Sequence, residues 1–348
     1  MIHNALEFWN CSSCDSGFGH DLAKFLDSAG MRVFAGVLDE LHPGALKLKK
    51  DASPNLTVLQ LDITNSSQIT QAHQYIQSQT GKTGLWALVN NAGVLGYVCD
   101  GEILPIKMYK KCLDVNFIGS VEITQAFLPL IRQSKGRLIS ISSMAGEVPL
   151  PGFAGYGASK AALISFNGAI RQELSRWGVK VIIIQPGAFK TNILGSREQW
   201  NSAQEDILSG LAQEVMASYG EEYIRSMQQR LVNMSSVSSS DTGPFLEALK
   251  HAILSPRPKP FYYPGASAWA LPLLYRHSFR NAFLGRLSTA SQLTSSLFLV
   301  IAERSRFLAN FFLMLSTKLS YLKEKANNNQ CPSLLYNDIT LRSFPLTF

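Results

Sequence analysis

The chain has 348 residues, of which 46% are hydrophobic and 16% are charged, and its formal net charge is +7. This length fits one large α/β domain with extensions or two small domains. The charge is modest and no long basic run or zinc-finger spacing occurs, so nucleic acid is not expected as a partner, whereas an anionic cofactor or an anionic membrane surface is compatible. Five scattered cysteines indicate a reducing compartment rather than a disulfide framework.

The segment from residue 20 to about residue 190 alternates between helical and strand-like patterns. This alternation predicts a doubly wound parallel α/β sheet in a single, Rossmann-like domain. Buried strands are predicted at residues 32–38, 56–61, 85–89, 137–141 and 179–184. Helices are predicted between them at residues 66–79, 107–132 and 156–177.

Beyond Pro186 and Gly187 the pattern changes to polar, helix-prone segments that end in a serine-rich stretch at 235–240. We expect these segments to form a helical extension of the sheet. The last part of the chain, at 286–348, is predicted to be a tail that is apolar and then disordered.

A pair of side chains suited to acid–base chemistry lies on one predicted helix. Tyr156 and Lys160 are four residues apart and share a face of that helix, and Ser143 lies thirteen residues before the tyrosine. A free tyrosine has a pKa of about 10, and a neighbouring ammonium group favours its phenolate form. Ser143 would hydrogen-bond an alcohol oxygen and hold it near the phenolate. A second Tyr/Lys pair, at residues 321 and 325, has no serine thirteen residues before it and is interpreted as accidental.

Polar and small residues follow four of the predicted strands at the point where each strand ends. They are Asp62, the turn at 90–93 (NNAG), Ser142 with Ser143, and Pro186 with Gly187. In an open α/β sheet, ligands bind beyond the carboxyl ends of the strands. The strand ends and the Tyr156 helix are therefore predicted to meet at one ligand site.

With these motifs, the chain resembles the short-chain dehydrogenase/reductases over about residues 12–285. The resemblance implies one domain at 12–285 with a cofactor-binding part at 12–187 and, on the substrate side of the sheet, a substrate-binding part at 188–285. The matching elements are the turn at 90–93, Asn116 within 114–119 (DVNFIG), Ser143, the pair Tyr156 and Lys160, and the segment 186–191 (PGAFKT). The resemblance implies that Tyr156 is the catalytic acid/base and that Ser143 orients the substrate oxygen. It also implies that Lys160 binds the nicotinamide ribose and lowers the tyrosine pKa, and that Asn116 holds a water in a proton relay.

The resemblance further implies a set of cofactor-binding residues. They are Ser13, Asp15, Gly17, Phe18, Gly19, Asp39, Asp62, Asn90, Ala92, Gly93, Tyr156, Lys160, Pro186, Gly187 and Thr191. Thr191 would contact the nicotinamide or phosphate end of the cofactor. No metal site is expected, because no histidine has a second ligand at metal-binding spacing.

The phosphate loop departs from the family pattern, which reads Thr-Gly-x-x-x-Gly-x-Gly after a central strand. Residues 12–19 (SSCDSGFG) keep Gly17 and Gly19, but Ser13 stands in place of the first glycine. If this position has a positive φ, serine costs about 1 kcal/mol or more. Residues 2–10 are few and poor in β-branched side chains, so we expect the first strand to be atypical or missing.

The end of the second predicted strand decides between the two nicotinamide cofactors. An acidic side chain there binds the ribose 2′-hydroxyl, whereas an arginine accommodates a 2′-phosphate. Asp39 and Glu40 follow the strand, and no arginine or lysine is near them. This favours NAD over NADP. In the alternative interpretation the two carboxylates only begin an exposed loop.

Within the family, the chain is most similar to the membrane-associated steroid and retinol branch, on stretches such as 33–38 (VFAGVL), 91–96 (NAGVLG) and 185–187 (QPG). This implies NAD-dependent oxidation of a hydroxysteroid to the ketone, with the 17β-hydroxyl of estradiol or testosterone as the group oxidised. Two alternatives stay open. One is a retinol dehydrogenase, and the other is a non-catalytic steroid- or lipid-binding relative whose altered loop no longer holds a dinucleotide.

The resemblance also implies a homodimer, formed through the helices that contain Asn116 and Tyr156, and an apolar alcohol as substrate. It implies association with the endoplasmic reticulum membrane, and peripheral association is one form of this. Without the amino-terminal hydrophobic anchor of the relatives, the protein would be cytoplasmic. Residues 287–302 come nearest to a membrane span, but they fall short of about 18 apolar residues and include serines and threonines. They are interpreted as a buried or amphipathic helix.

Overall fold

Parallel strands form the central sheet. The structure is a computed structural model and describes residues 8–265 and 268–277. The strands of this part of the chain are β1 (Phe8–Cys11), β2 (Arg32–Val37), β3 (Leu56–Gln60), β4 (Ala87–Asn90), β5 (Arg137–Ile141), β6 (Lys180–Ile184) and β7 (Phe261–Tyr262). They lie side by side in the order β3-β2-β1-β4-β5-β6-β7, and every neighbouring pair is parallel. The predicted doubly wound α/β sheet is confirmed.

The first strand is present and lies in the middle of the sheet. β1 pairs with β2 through Phe8↔Arg32 to Cys11↔Ala35, and its other edge pairs with β4. Its four residues, Phe-Trp-Asn-Cys, include no β-branched side chain, so the strand is atypical in composition, and the alternative that it is missing is wrong. A strand hydrogen-bonded on both sides depends less on β-branched side chains than an isolated or edge strand does, because tertiary context outweighs strand propensity.

Helices connect the strands and cover the sheet. In the described residues they are α1 (Gly17–Ser28), α2 (Pro43–Asp51), α3 (Ser66–Thr80), α4 (Ile106–Leu113), α5 (Ser120–Ser134), α6 (Ala154–Leu174), α7 (Arg197–Gly210), α8 (Gln213–Tyr219), α9 (Glu221–Ser226), α10 (Gln228–Val237), α11 (Gly243–Leu254) and α12 (Ala270–His277). Helix α2 is absent from the sequence-based prediction. It begins at a proline, which suits the first helical position, and has lysines in its last turn.

Two apolar cores lie on opposite faces of the sheet. Along β2, Val33 and Ala35 belong to one core and Phe34 to the other, because successive strand residues point to opposite faces. The first core includes buried residues of α1, α2 and α11, and the second includes buried residues of α3, α5 and α6. Helices on both faces fix the strand ends rigidly at one edge.

A π-helical segment joins α4 to α5. Residues Asp114–Gly119 form it, so the single helix predicted at 107–132 is continuous but has wider turns, with more residues per turn, at this point. Such π-bulges are frequent at functional sites. Asn116 lies in this segment and is fully buried.

The predicted helical extension is formed by α7 to α10. It begins and ends at one β-bridge, Phe189↔Ser239, where Lys190 N donates to Ser239 O at 2.8 Å and Ser239 N donates to Ala188 O at 3.0 Å. The extension therefore leaves and rejoins the rest of the chain at a single point. Its apolar residues pack on the segment after β4 in a cluster that contains Cys99, Ile103, Leu104, Ile207, Ile224 and Met227.

Some predictions fall on other parts of the chain. The tail at 286–348 and the second Tyr/Lys pair at 321 and 325 lie outside the described residues. The domain bounds stay a prediction. Within residues 8–265 and 268–277, none of the helices combines the length and the apolar character that crossing a membrane requires.

Candidate active site

A cavity of about 620 Å³ lies at the carboxyl ends of the strands. It brings together segments that are far apart in the sequence, as the strand-end pattern predicted. The predicted site residues on its wall are Ser13, Asp15, Gly17, Phe18, Gly93, Ser143, Tyr156, Lys160, Pro186, Gly187 and Thr191. Those that are not part of its wall are Gly19, Asp39, Asp62, Asn90, Ala92 and Asn116.

Tyr156 and Ser143 meet on the cavity wall. Ser143 ends the turn after β5, where its hydroxyl accepts a hydrogen bond from Ala145 N at 3.2 Å. Desolvation raises the pKa of Tyr156 to about 12, and a hydrogen bond with Ser143 opposes this rise. Tyr156 is therefore a neutral phenol at neutral pH, with its hydroxyl next to the serine hydroxyl.

Lys160 is held beneath Tyr156. Its Nζ donates to the carbonyl of Ile141, the last residue of β5, at 2.9 Å and lies 5.8 Å from the centre of the Tyr156 ring. Lys160 is buried, and desolvation lowers its pKa to about 8, opposed by the Cys112 thiol. Burial acts against the charged forms of both groups, so the tyrosine pKa lies above its ordinary value in the chain by itself, and its lowering by this lysine stays a prediction.

Asn116 is fixed behind the wall by three hydrogen bonds. Its Oδ1 accepts from Val94 N at 2.8 Å, and its Nδ2 donates to Val94 O at 2.9 Å and to Ser159 Oγ at 2.9 Å. Its amide thus joins the loop after β4 to helix α6. A Cβ atom on Gly93 would lie 3.2 Å from both Asn116 Oδ1 and Lys160 Nζ. Glycine at this position keeps the wall open beside the lysine.

The phosphate loop has the strained residue that the sequence predicts. Ser13 has φ 58°, and in the described residues only Lys135 shares this left-handed region among the non-glycine residues. Gly17 also has a positive φ, 57°. A Cβ on Gly19 would lie 2.3 Å from Ser13 O, so Gly19 serves the close packing of the loop on α1 rather than the cavity wall.

Two residues that the sequence reasoning missed hold this loop in place. Ser12 Oγ accepts from Asn91 N at 3.1 Å and from Ala92 N at 3.0 Å. Asn91 Nδ2 donates to Ser12 O at 3.0 Å and to Ser13 O at 3.2 Å. The loop after β1 is therefore bonded to the turn after β4. Both residues directly follow strands, and because β1 and β4 are neighbours in the sheet, their position at adjacent strand ends was the signal that could have identified them.

Two predicted cofactor residues point elsewhere. Asn90 Nδ2 donates to Thr124 Oγ1 at 2.8 Å, so its amide faces α5. Asp62 accepts from the backbone and hydroxyl of Thr64 at 2.9 and 2.7 Å and stabilises its own turn. Both polar strand ends have structural partners in place of the expected contact with the cavity. Asp39 is exposed beyond β2, where it accepts from Leu41 N at 2.9 Å.

The site fits a dinucleotide at the beginning of α1. Gly17 and Phe18, the first two residues of that helix, line the cavity. Ser16 precedes them and forms no side-chain cap on the helix. Uncapped amides at a helix amino end favour a phosphate group. Among the residues that the structure describes, no group of three His, Cys, Asp or Glu side chains is arranged to hold a metal ion.

The rest of the cavity wall combines apolar residues with polar ones such as Lys111, Gln199 and Gln228. The apolar residues come from the loop after β4 and from the helical extension: Leu95, Val98, Ile193, Leu194, Trp200, Ile207, Met227 and Leu231. A polar cluster outside this wall joins the same two parts: Arg230 Nη1 lies 2.6 Å from Asp100 Oδ1, and Tyr223 donates to Asp100 Oδ2 at 2.7 Å. The pair is about three-quarters buried.

Comparisons with known proteins agree with this geometry. A family model described as short chain dehydrogenase matches residues 12–202. Estradiol 17-beta-dehydrogenase 2 of Mus musculus is 48% identical over 258 residues, 74% of this chain and 68% of the relative. The 11-beta-hydroxysteroid dehydrogenase type 2 of Oryctolagus cuniculus is 42% identical, over 73% of this chain and 63% of the relative. A short-chain dehydrogenase structure from Streptomyces avermitilis has a TM-score of 0.63 at 23% identity, over 83% of this chain and 98% of that one.

The chain belongs to the short-chain dehydrogenase family and is an oxidoreductase with the dinucleotide-binding fold of that family. The similarity to the mouse and rabbit proteins confirms the predicted steroid dehydrogenase branch. The chain spans about two thirds of the length of these curated relatives.

The strain at Ser13 leads to a stability prediction. The left-handed conformation costs a non-glycine residue about 1–2 kcal/mol, whereas glycine loses about 0.5–1 kcal/mol more chain entropy on folding. We expect Ser13→Gly to raise the free energy of unfolding by up to about 1 kcal/mol, and Ser13→Val to lower it because a β-branched residue tolerates positive φ least. Urea unfolding measures both; a less stable glycine variant contradicts the strain.

The buried lysine leads to a prediction about pH. Because the pKa of Lys160 falls from 10.5 to about 8 on folding, the unfolded chain alone holds this proton between those values, and folding gains stability as pH rises. Relative to Lys160→Met, the wild type should gain about 3 kcal/mol in free energy of unfolding between pH 7.5 and pH 10.5. Urea unfolding at several pH values measures this, and parallel curves would contradict the buried ammonium.

Proposed function

We propose that the protein oxidises a hydroxysteroid to the ketone with NAD, with the 17β-hydroxyl as the preferred group. The carrying observation is the meeting of Ser143 and Tyr156 at the wall of a cavity that also contains a group of apolar residues, among them Leu95, Val98 and Leu231. Apolar surface with a few placed polar groups suits a rigid hydrophobic alcohol. The mouse relative named as an estradiol 17-beta-dehydrogenase supports the 17β position, since its identity exceeds that of the rabbit 11-beta relative.

The chain's own residues would handle the proton of the alcohol. Ser143 orients the alcohol oxygen, and Tyr156 Oη takes its proton and returns it in the reverse direction. Lys160, anchored on Ile141 O, keeps a cation within reach of both the phenol and the cofactor site. Oxidised nicotinamide supplies the hydride acceptor when it is bound.

Burial makes the phenolate form of Tyr156 unfavourable as long as no ligand is bound. The pKa of Tyr156 is raised to about 12 and that of Lys160 is lowered to about 8, so at pH 7 the phenol is neutral while the lysine still carries its charge. A positive charge added within a few ångströms favours the phenolate strongly in such a site. We infer that proton transfer is efficient only once the cationic cofactor and the substrate fill the cavity.

NAD is the cofactor that the residues beyond β2 favour. Asp39 is exposed there, and Glu40 is fixed by reciprocal hydrogen bonds: Gln60 N donates to its Oε1 at 2.8 Å, while Glu40 N donates to Gln60 Oε1 at 3.1 Å. Two carboxylates repel a 2′-phosphate and accept from a 2′-hydroxyl. The proposal therefore keeps NAD as the working cofactor, with Asp39 as the ribose contact.

A homodimer and a membrane location belong to the same proposal. Leu113 and Ile118, in the helical segment that carries Asn116, are 37% and 50% exposed. Apolar side chains exposed on this segment support dimer contacts through it and α6. Sedimentation velocity tests this, and a monomer at micromolar concentration would contradict it. Association with the endoplasmic reticulum is proposed from the steroid relatives and is tested by cell fractionation.

A cofactor and substrate panel tests the activity. We expect estradiol to be oxidised faster with NAD than with NADP, and faster than all-trans-retinol. Tyr156→Phe should lower kcat by about 10²–10⁴-fold, because the proton acceptor is lost. The control is Tyr109→Phe, which removes a hydroxyl bonded to Gly101 O away from the cavity wall and should leave kcat unchanged.

Each other outcome points to one of the alternatives. Turnover of retinol alone favours a retinol dehydrogenase. Absence of NADH binding at millimolar concentration in a calorimetric titration favours a non-catalytic binding protein. Full activity of Tyr156→Phe contradicts the assigned acid–base role.

The cluster at Asp100 leads to a prediction about substrate binding. Its ion pair with Arg230 joins α10 to the loop after β4, so it holds the cavity wall closed around an apolar alcohol. Asp100→Asn should raise KM for the steroid about five- to tenfold with kcat within about twofold, since the change affects binding and not the reacting groups. Glu205→Gln removes an exposed pair with Arg225 in the same extension and is expected to change neither value. An equal loss of kcat would contradict this role.

A further inference from the structure

The sheet edge opposite the cavity carries a concentration of positive charge. In a parallel sheet with returning helices, the amino ends of the strands and the carboxyl ends of the helices lie at this edge. Four segments of the chain are placed there, at 80–84, 130–137, 171–180 and 252–260, and they contain nine basic residues and one acidic residue. The whole chain, by comparison, has 32 basic and 25 acidic residues.

Hydrogen bonds show that these segments adjoin. Gln133 Nε2 donates to Gly81 O at 3.4 Å, which joins the end of α5 to the end of α3. Arg137 Nη1 donates to Ala252 O at 2.7 Å, at the end of α11. Arg171 Nη2 donates to Pro260 O at 3.0 Å, just before β7. The four segments thus form one continuous edge.

Most of the cations at this edge have no partner of opposite charge. Arg137 and Arg171 bond backbone carbonyls, but six exposed residues form no ion pair within the described part of the chain: Lys82, Lys135, Arg176, Lys180, Arg257 and Lys259. We call these six residues the basic edge. Helix dipoles favour cations at the last turn of a helix, which accounts for Lys135 and Arg176. The dipoles do not account for Lys180, Arg257 or Lys259, which lie at strand beginnings and in a loop.

An exposed tryptophan lies among the residues of the basic edge. Trp177 is 46% exposed, and the guanidinium carbons of Arg132 and Arg176 lie 5.2 and 5.7 Å from its ring centre. Leu254, at the end of α11, is 48% exposed. Tryptophan ringed by cations is the composition found at the boundary between lipid and water, where the indole enters the headgroup layer and the cations meet anionic lipids.

We propose that the basic edge, with Trp177 and Leu254, docks peripherally on an anionic lipid surface. A second copy of the chain would bring like charges together, which is unfavourable. A single-stranded nucleic acid uses several stacking aromatics, whereas Trp177 is the one aromatic residue of the four segments. Docking through this edge leaves the cavity free, because the cavity lies at the other edge of the sheet.

Co-sedimentation of the full chain with vesicles tests the proposal. Phosphatidylcholine vesicles with and without phosphatidylserine are compared, at low and high salt. Each cation near the surface contributes about fivefold to binding, so the triple variant Lys135→Glu/Arg176→Glu/Lys180→Glu, which replaces three cations with anions, should lose more than about a hundredfold in the partition coefficient on anionic vesicles. Trp177→Ala should lose several-fold, and its loss should persist at high salt.

A control variant separates the edge from net charge. Lys24→Glu/Lys110→Glu/Arg197→Glu changes the charge equally at exposed positions away from the basic edge and should bind anionic vesicles within about threefold of the wild type. Equal losses in the two triple variants, or wild-type binding of the edge variant, would overturn the proposal. Heparin binding is measured in parallel. If the edge variant loses binding to heparin but still binds anionic vesicles as the wild type does, the proposal is overturned and a soluble polyanion is the partner.

Thermal unfolding checks that the edge variant folds. If the reversal of three charges prevents folding, the milder Lys135→Gln/Arg176→Gln/Lys180→Gln replaces it, with an expected loss of about a hundredfold. A folded neutral variant that binds anionic vesicles as the wild type does would also overturn the proposal.

Discussion

The short strand β1 and the hydrogen bonds at its end determine where the site lies. With only four residues, β1 lies in the middle of the sheet because both its edges are paired. Directly beyond it, Ser12 and Asn91 bond the phosphate loop to the turn after β4. The phosphate loop at one end of the cavity and the turn after β4 near Lys160 are thereby joined directly by these hydrogen bonds. A substitution there would displace the strained Ser13 and the glycine at position 93 together, so cofactor binding and catalytic geometry are coupled through the backbone.

Burial sets the chemistry of the catalytic pair. The same desolvation raises the pKa of Tyr156 and lowers that of Lys160, so each group is driven towards its neutral form. Four-residue spacing on a helix therefore does not by itself activate the tyrosine. What the fold supplies is position: Lys160 is held on Ile141 O, and Asn116 is held by three hydrogen bonds. In the proposed mechanism, activation comes from charge brought in by the ligands, which ties proton transfer to a filled site.

Sequence reasoning predicted the sheet and the cavity wall well, because buried strands and the residues that follow them have strong local signals. It was less successful where long-range contacts decide. The weak strand at β1 is stabilised by its neighbours, and α2 has too short an apolar stripe to be recognised. Asn90 and Asp62 occupy strand ends, as expected, but bond to α5 and to a turn. Asn91 is the opposite case: it was not predicted as a site residue, yet it holds the phosphate loop through Ser12, which is 79 residues away. Spacing along the chain carries no information about such a pairing.

Substrate choice has a different physical basis from the catalytic motif. The family model matches residues 12–202 and so ends within α7, whereas the apolar wall and the Asp100–Arg230 pair depend on residues as far as Leu231. The proton-handling groups fit any secondary or primary alcohol. Under the proposed function, the choice between a rigid steroid and a flexible retinoid falls to the helical extension, anchored at the Phe189↔Ser239 bridge, and to the loop after β4 that it contacts. Because the extension is attached at one bridge, changes in its side chains can reshape the cavity without disturbing the sheet. The determinants of specificity therefore lie among the residues of α7 to α10 and of the loop after β4 that they contact.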